Sequence, residues 1–328
     1  MRILVTGGAG YIGSFMTKRL LDGGHEVIVF DSLERGHKDA IDPRAQFTQG
    51  DLKSAATCED LFRKESIDSV MHFAGYISVE ESMRDPQRYY ENNVVGSEHL
   101  FNAAINVGGV RTFIFSSSAA VYGNPKQIPI PEDHPKDPTS SYGETKLETE
   151  KILLHLRKEN PIGFACLRYF NAAGASLNAS LGEDHNPETH IIPLAIKAAF
   201  EHGEFFLYGQ DYKTSDGTAI RDYIHVLDLV EAHMLALEKL KSSGGGLFYN
   251  VGTGNGYSNK EVVNMVKKVS GVDFKVTIAQ RRAGDSEVLI ADPTRINNEL
   301  SFSPKYSDLA TIVESAWKWY IVKNSKLT

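Results

Sequence analysis

Short apolar runs alternate with longer segments of helical periodicity through the first half of the chain. The runs cover residues 3–6, 26–30, 46–51, 69–75, 111–118 and 162–170. Runs of this length are typical of strands buried on both faces, and the segments between them are long enough for helices. The pattern predicts an α/β fold with a Rossmann-type doubly wound parallel sheet over residues 1–170.

The alternation loosens after residue 170. Residues 174–190 are rich in Gly, Asn, Pro and Asp, whereas 191–200 and 224–240 have helical patterns. A strand-like run at 247–252 could return to the main sheet. We therefore expect a smaller, interleaved C-terminal substrate domain, mainly within residues 171–328, with parts of 224–252 joining the first domain.

A glycine turn joins the first predicted strand to the first predicted helix. Gly7, Gly10 and Gly13 have the spacing G-x-x-G-x-x-G, with Tyr11 and Ile12 inside it. Glycines at such a turn let the backbone approach a pyrophosphate, which then binds at the positive end of the helix dipole. A purely structural turn is the alternative, but a strand before the turn and a helix after it favour a dinucleotide site.

An acidic residue, Asp31, ends the second predicted strand and is followed by Ser32. A carboxylate at this place suits the two hydroxyls of an adenosine ribose and repels an added 2′-phosphate. The sequence therefore favours NAD over NADP, although Arg35 nearby is a weak signal in the other direction.

Tyr142 and Lys146 are four residues apart in a segment with a helical pattern, so both side chains project from one face. A free phenol has a pKa of about 10, and lowering it to about 7 requires about 4 kcal/mol. A buried ammonium, helped by a cationic cofactor ring, is a plausible source of that free energy. Taken alone, such a pair is more often an ordinary surface contact.

Composition excludes several other classes of protein. Lys and Arg number 35 and Asp and Glu number 42, so the net charge of −7 argues against a general nucleic-acid binder. Two cysteines, Cys58 and Cys166, are too few for a metal cluster or a disulfide framework, and no metal site is predicted. The sequence shows no signal peptide and no membrane-spanning run, so a cytoplasmic location is expected.

Several motifs in this order resemble the extended short-chain dehydrogenase/reductase family, and within it the bacterial UDP-glucose 4-epimerases. The resemblance covers nearly the whole chain. Its marks are the glycine turn at 7–13, Asn92-Asn93-Val94, the run 115–123, Tyr142 with Lys146, Arg168-Tyr169-Phe170-Asn171 and the run 216–226.

The resemblance implies interconversion of UDP-galactose and UDP-glucose with tightly bound NAD. Tyr142 would be the catalytic base and acid, Lys146 would hold the nicotinamide ribose, and Ser118 would hydrogen-bond the reacting sugar oxygen. C4 would be oxidised to a 4-ketose, which would turn and be reduced on its other face. A homodimer through helices near residues 86–107 and 143–159 is also implied.

The resemblance also supplies the rest of the site. The implied cofactor-binding residues are Gly7, Gly10, Tyr11, Ile12, Gly13, Asp31, Ser32, Asp51, Leu52, Phe73, Ala74, Asn93, Ser118, Tyr142, Lys146, Tyr169 and Phe170. The implied substrate-binding residues are Ser118, Tyr142, Asn171, His190, Arg221, Tyr223, Arg282 and Asp285.

Two alanines separate this reaction from its neighbours in the family. The 4,6-dehydratases carry Asp-Glu just after the Ser or Thr of the fifth strand, and the decarboxylases carry Glu, where this chain has Ala119 and Ala120. Neither alanine can protonate a leaving hydroxyl. A non-catalytic NAD-binding sensor is the alternative from a different class, but keeping both Tyr142 and Lys146 argues against it.

Three positions depart from the family pattern. Ile77 stands where the family often has Lys near the nicotinamide ribose, and His190 stands where Asn is frequent beside the substrate. Leu289 stands at the position that limits substrate size, where strictly hexose-specific members have the larger Tyr. The smaller Leu suggests a further hypothesis, that N-acetylated UDP-hexoses are accepted.

Overall fold

The computed structural model describes residues 1–281 and 285–325. The helices are α1 Tyr11–Asp22, α2 Ala55–Lys64, α3 Val79–Arg84, α4 Pro86–Tyr90, α5 Gly96–Asn106, α6 Ser141–Glu159, α7 Ile191–Phe200, α8 Val226–Ser243, α9 Asn259–Ser270, α10 Thr294–Leu300 and α11 Leu309–Ser325. The strands are β1 Arg2–Thr6, β2 Glu26–Asp31, β3 Gln46–Gln49, β4 Ser69–His72, β5 Thr112–Ser118, β6 Gly163–Tyr169, β7 Asn171–Ala173, β8 Glu204–Tyr208, β9 Ile220–Arg221, β10 Tyr223–His225, β11 Gly246–Val251, β12 Tyr257–Ser258, β13 Lys275–Ala279 and β14 Val288–Leu289.

Seven strands form the main sheet of the described chain, in the order β11-β6-β5-β4-β1-β2-β3. β1 pairs in parallel with both β2 and β4, and the parallel pairing continues to β3 and β5. The chain thus runs to one side of β1 first and to the other side afterwards, which is the doubly wound arrangement. The predicted fold class is confirmed, and β11 beside β6 confirms the predicted return of residues 247–252 to the main sheet.

The predicted helix at 224–240 differs from the structure at both ends. Tyr223–His225 forms β10, which pairs in parallel with β7, so α8 begins only at Val226. Aromatic and β-branched residues favour this extended start. At the other end α8 continues to Ser243, and Gly244 follows with a φ of +58°. A positive φ suits glycine, which has no Cβ to clash.

The chain divides into two compact units. Unit 1 comprises Met1–Gly123, Pro135–Arg168 and Val230–Tyr249. Its core contains large side chains from the sheet and the helices on it, among them Leu4, Phe30, Phe101 and Phe113, all at most 1% exposed. Each such burial contributes about 1.5–3 kcal/mol to folding.

Unit 2 comprises Asn124–His134, Tyr169–Leu229 and the described residues from Asn250 onward. Its core is built by α7, α9 and α11 with the parallel pair β8–β13, through residues such as Ile196, Phe205, Val263 and Ile312. Among the described helices of either unit, none combines the length and apolar character that a bilayer crossing requires.

Candidate active site

Tyr142 lies in the first turn of α6, close to the carboxyl end of β5. Ser140 caps the helix by accepting a hydrogen bond from the Gly143 backbone N–H at 3.2 Å. A Cβ at position 143 would lie 2.5 Å from the carbonyl oxygen of Ala120, so only glycine lets α6 approach the turn after β5 this closely. The close approach brings Tyr142 to Ser118, the last residue of β5.

Lys146 lies one helical turn after Tyr142 and is 4% exposed. Its Nζ donates to the carbonyl oxygen of Ser116 at 2.8 Å and lies 5.8 Å from the centroid of the Tyr142 ring. Burial lowers the pKa of Lys146 to about 8, although Glu150 opposes that effect. The ammonium therefore lies beside the phenol, as the sequence predicted.

The phenol of Tyr142 is less acidic than Lys146 alone would suggest. Burial raises the pKa of Tyr142, and hydrogen bonding with Ser118 opposes this only in part. Burial penalises a phenolate, so the charge of Lys146 acts against burial at this site. A further positive charge near the ring, such as that of a cationic cofactor ring, would also favour the phenolate.

A buried ion pair flanks Lys146. Arg168 on β6 donates to both carboxylate oxygens of Glu150, through Nη2 at 2.6 Å and Nε at 2.8 Å, and both side chains are at most 3% exposed. Ser117 donates a further hydrogen bond to Glu150 at 2.6 Å, and Arg168 donates to the Tyr122 hydroxyl at 2.9 Å. Sequence reasoning missed this pair; the signal was a Glu one turn beyond Lys146 on the buried face of the helix.

The glycine turn leads into the start of α1, where the backbone suits a bound anion. Gly7 has a φ of +71°, and a Cβ there would lie 2.6 Å from the backbone nitrogen of Ala74; one at Gly13 would lie 2.1 Å from the carbonyl oxygen of Gly7. At the start of α1, Gly10 provides no side-chain cap, and the first turn carries no acidic residue. The N–H groups there and the positive end of the helix dipole suit a pyrophosphate.

Asp31 holds the glycine turn in place. Its carboxylate accepts hydrogen bonds from the backbone of Ala9 at 3.0 Å and of Leu33 at 2.8 Å, and the residue is 8% exposed. Burial raises the pKa of Asp31, whereas the two backbone hydrogen bonds oppose the rise. Each carboxylate oxygen keeps a further lone pair that could accept a ribose hydroxyl. Ser32 is half-buried beside it.

The next predicted cofactor residues follow β3 and β4. Asp51 accepts a hydrogen bond from the Lys53 backbone at 2.9 Å, and Leu52 is buried. Phe73 and Ala74 are half-buried after β4, where the Phe73 ring lies 4.9 Å from that of His233. These residues therefore lie at the carboxyl edge of the sheet, where ligands of this fold bind.

The side-chain amide of Asn93 hydrogen-bonds protein groups in two parts of unit 1. It accepts from the Tyr76 N–H at 2.8 Å and donates to the Tyr76 carbonyl at 3.0 Å and to the Thr145 hydroxyl at 3.1 Å. Asn93 thus fixes the loop after β4 against α6. Ile77, in the same loop, is 42% exposed and offers no charge in place of the family's Lys.

Two groups of predicted substrate residues lie in unit 2. In the first, Arg221 on β9 lies opposite Leu289 on β14, and its Nη2 is 3.9 Å from an oxygen of Asp285. Arg282 lies outside the described residues. The pairing places Leu289 next to Arg221, whose guanidinium suits phosphate.

The second group lines a small cavity of about 20 Å³, large enough for one water molecule. Asn171, His190 and Tyr223 belong to it, together with Glu183. Tyr223 is 2% exposed, yet its hydroxyl has no hydrogen-bond partner among the described residues. A buried hydroxyl without a partner favours a bound polar ligand. Tyr169 and Phe170, predicted for the cofactor, are half-buried at the end of β6.

His190 immediately precedes α7 and faces two carboxylates. Its Nδ1 lies 2.7 Å from Oε1 of Glu183 and 3.2 Å from Oε1 of Glu188. Burial lowers the pKa of His190, but the carboxylates outweigh burial and raise it to about 10. Sequence reasoning missed both glutamates, although the spacing Glu-x-His-x-x-Glu-x-His over residues 183–190 was visible.

The fold and this site define a dinucleotide-binding α/β protein with a Tyr–Lys pair. Residues 3–252 match the NAD dependent epimerase/dehydratase family, and the chain belongs to that family. The chain is 46% identical to UDP-glucose 4-epimerase of Lactobacillus helveticus over 98% of its own length and 97% of the relative's.

Two solved structures extend the comparison. The structure of UDP-glucose 4-epimerase from Bifidobacterium longum in complex with NAD⁺ and UDP is 35% identical, covers 99% of both chains and has a TM-score of 0.94. The structure of the UDP-Glc/GlcNAc 4-epimerase of Campylobacter jejuni is 43% identical, covers 98% of this chain and 99% of its own, and has a TM-score of 0.85.

Proposed function

We propose that this chain interconverts UDP-galactose and UDP-glucose: C4 of the hexose is oxidised to a ketone, the 4-ketose turns, and its other face is reduced. The observation that carries the proposal is the cluster of Ser118, Tyr142 and Lys146 at the carboxyl edge of a dinucleotide-binding sheet. The names of the relatives support the same reaction.

The residues fit tightly held NAD. The N-terminus of α1 suits the pyrophosphate, Asp31 suits the adenosine ribose, and the donors left on Lys146 suit the nicotinamide ribose. When bound, NAD supplies the redox partner for C4 and is regenerated within each turnover. Its positively charged ring would also favour the phenolate form of Tyr142.

Tyr142 moves the proton of the reaction. In the phenolate form, its oxygen takes the proton of the C4 hydroxyl during oxidation and returns it during reduction. Ser118 hydrogen-bonds the same sugar oxygen, and Lys146 favours the phenolate by its charge. Because Ala119 and Ala120 have no acidic group, no leaving hydroxyl is protonated, and the chemistry ends with inversion at C4.

The UDP part of the substrate is assigned to unit 2. Arg221, with Arg282, suits the diphosphate, because a guanidinium matches phosphate oxygens. His190, Asn171 and the Tyr223 hydroxyl, which has no partner among the described residues, offer hydrogen bonds to the substrate. Asp285 suits a hydroxyl of the uridine.

The test is incubation of the pure protein with UDP-galactose and no added cofactor. We expect UDP-glucose to form, with bound NAD released on denaturation at close to one per chain. If no UDP-glucose forms even when NAD⁺ is supplied, the assignment fails and a non-catalytic NAD-binding sensor becomes the better account.

A second activity, on N-acetylated UDP-hexoses, is favoured by Leu289 opposite Arg221. Leucine leaves more room than tyrosine at this position, and a relative 43% identical is a UDP-Glc/GlcNAc 4-epimerase. We expect measurable turnover of UDP-GlcNAc, which Leu289→Tyr reduces while turnover of UDP-galactose persists. Undetectable turnover of UDP-GlcNAc, with UDP-galactose turned over fast, would remove this activity.

We also propose that the chain acts as a homodimer in a reducing cytoplasm. Unit 1 exposes large apolar side chains on α3, α4 and α6, namely Met83 (58%), Tyr90 (48%) and Leu154 (41%). Exposed apolar groups on neighbouring helices are typical of protein interfaces. Cys58 and Cys166 are both buried free thiols. Light scattering should give twice the mass of the chain, and Leu154→Glu should shift it toward the monomer.

A further inference from the structure

A second cluster of reactive side chains lies in the loop that leads into α7. Glu183, His185, Glu188 and His190 each offer one ligand atom, and the four atoms lie within 4.8 Å of one another. All four residues come from one short segment of unit 2. The sequence motifs gave this set no role beyond a substrate contact for His190.

The distances between these atoms are close to those of a tetrahedral metal site. Oε1 of Glu183 lies 3.0 Å from Nδ1 of His185 and 2.7 Å from Nδ1 of His190. Oε1 of Glu188 lies 3.2 Å from Nδ1 of His190, and Oε2 of Glu188 lies 3.8 Å from Nδ1 of His185. Ligand bonds of about 2.0–2.1 Å place tetrahedral ligands about 3.3 Å apart. The four contacts span 2.7–3.8 Å, so the side chains would have to move by about 0.6 Å or more to surround one ion tetrahedrally.

The charges of the cluster also match a divalent cation. Two carboxylates carry −2, and His190 must release its proton when a metal ion binds, so one divalent ion with two neutral imidazoles makes the set neutral. The Glu183 side chain is only 7% exposed, so its charge is poorly screened by water. The two carboxylates that face Nδ1 of His190 would also attract a metal cation to the same place.

The ligands are held by a second layer of contacts, as metal ligands commonly are. The carbonyl of Glu183 accepts a hydrogen bond from Nε1 of Trp319 on α11 at 3.2 Å. The carboxylate of Glu188 accepts from the backbone N–H groups of Thr189 at 2.7 Å and His190 at 2.8 Å. Asp184 forms an ion pair with Lys323, also on α11. The loop is therefore fixed before any ion binds.

We propose that Glu183, His185, Glu188 and His190 form a structural binding site for a divalent transition-metal ion, with Zn²⁺ as the preferred ion. Four protein ligands and no open position are typical of structural zinc sites, and imidazole disfavours Mg²⁺ and Ca²⁺. Coordination through Nδ1 of His190 leaves the ring proton on Nε2, so the metal would also fix His190 as a hydrogen-bond donor.

The first test is metal binding by the untagged full-length protein after treatment with a chelator and dialysis. Titration with ZnCl₂ alone should give one tight site per chain, whereas MgCl₂ and CaCl₂ should give none. Co²⁺ in place of Zn²⁺ should give the visible absorption bands of tetrahedral cobalt. Octahedral cobalt bands, equal binding of Mg²⁺, or no site above weak surface binding would overturn the proposal.

Variants locate the site. The double variant, His185→Ala with Glu188→Gln, should lose the tight site and the cobalt bands. It should keep the far-UV spectrum and the bound NAD of the wild-type protein. His155→Ala is the matched control, because His155 lies on the surface of α6, 3.5 Å from Glu159, and is outside the cluster. Loss of zinc in the control, or unchanged zinc in the double variant, would contradict the assignment.

Thermal unfolding gives an independent readout. At a hundredfold excess of Zn²⁺ over its Kd, the Tm of the wild-type protein should rise by roughly 4 °C. If the double variant does not fold, the wild-type titration and cobalt spectrum still decide the matter. None of these measurements depends on turnover, so the proposed metal site can be confirmed or rejected independently of the proposed reaction.

Discussion

Two buried cations in unit 1, Lys146 and Arg168, lie near the same carboxylate and have opposite surroundings. Arg168 forms a bidentate ion pair with Glu150 and also donates to Tyr122. Lys146, one turn before Glu150 on α6, donates to the Ser116 carbonyl and forms no ion pair within the described residues. One charge is neutralised by protein, and the other is buried at a cost.

The difference separates a structural charge from a reactive one. A neutralised pair with its hydrogen bonds made has little left to offer a ligand. A buried ammonium with unused donors favours any group that brings negative charge or an acceptor, such as a phenolate or a ribose hydroxyl. Substitutions of Tyr142, Arg168, Lys146 and Asp31 test this contrast, with expected effects that decrease in that order.

The largest expected effect is the loss of the base. Tyr142→Phe removes the hydroxyl that moves the proton and should lower kcat by about 10²–10⁴-fold, the usual contribution of general acid–base catalysis. Steady-state turnover of UDP-galactose measures it, with NAD content as the control for folding. Tyr90→Phe, at an exposed tyrosine on α4, should leave kcat unchanged; substantial activity in Tyr142→Phe would mean that another base acts.

Arg168→Met should cost about 3–5 kcal/mol of stability, because it leaves the buried Glu150 carboxylate without its partner. Urea unfolding at neutral pH measures the change. Replacing both partners, in Glu150→Met with Arg168→Met, should recover part of the loss, since no charge is then left buried. A double variant less stable than Arg168→Met would contradict this view of the pair.

Lys146→Met should behave in the opposite way. Burial lowers the pKa of Lys146 from 10.5 to about 8, so the folded state binds fewer protons than the unfolded state between those pH values. The cost of the buried ammonium, about 3 kcal/mol at most, is full below about pH 8 and vanishes as pH rises toward 10.5.

With NAD removed from both proteins, Lys146→Met should therefore be at least as stable as the wild type at pH 7, and the difference should shrink as pH rises toward 10.5. Its turnover should nevertheless fall. Unfolding curves at pH 7 and pH 9.5 measure the stability. A variant clearly less stable than the wild type at pH 7 would show that Lys146 is a structural charge like Arg168.

The smallest expected effect concerns Asp31. Asp31→Asn keeps the size of the side chain but removes its charge, so the repulsion of a 2′-phosphate is lost. We expect the preference for NAD⁺ over NADP⁺ to fall by about tenfold, or about 1.4 kcal/mol. Titration of NAD-free protein with both cofactors measures it, and an unchanged preference would mean that Asp31 only holds the backbone of Ala9 and Leu33.

The sequence was most informative in unit 1, because buried parallel strands and glycine turns leave strong local patterns. The doubly wound parallel sheet and the grouping of Tyr142 with Lys146 followed from such patterns. The start of α8 did not, since the pairing of Tyr223–His225 with β7 is a contact over a long separation in the chain.

The energetics of the candidate site could not be obtained from spacing. The residues show that Lys146 lies beside Tyr142, but the direction of the Tyr142 pKa depends on burial, which only the fold provides. The contacts of Glu183 and Glu188 with His190 could not be predicted either, because they depend on how the loop before α7 folds.

The central claim is that Tyr142 takes the proton of the C4 hydroxyl and returns it without a second acid, while bound NAD would hold the hydrogen of C4 and give it back. Turnover of UDP-galactose deuterated at C4, followed by NMR of the UDP-glucose formed, tests it most directly. The account predicts that the deuterium remains at C4 of the product, with none exchanged into solvent. Loss of the deuterium to water would contradict it, because C4 would then be inverted through exchange with solvent.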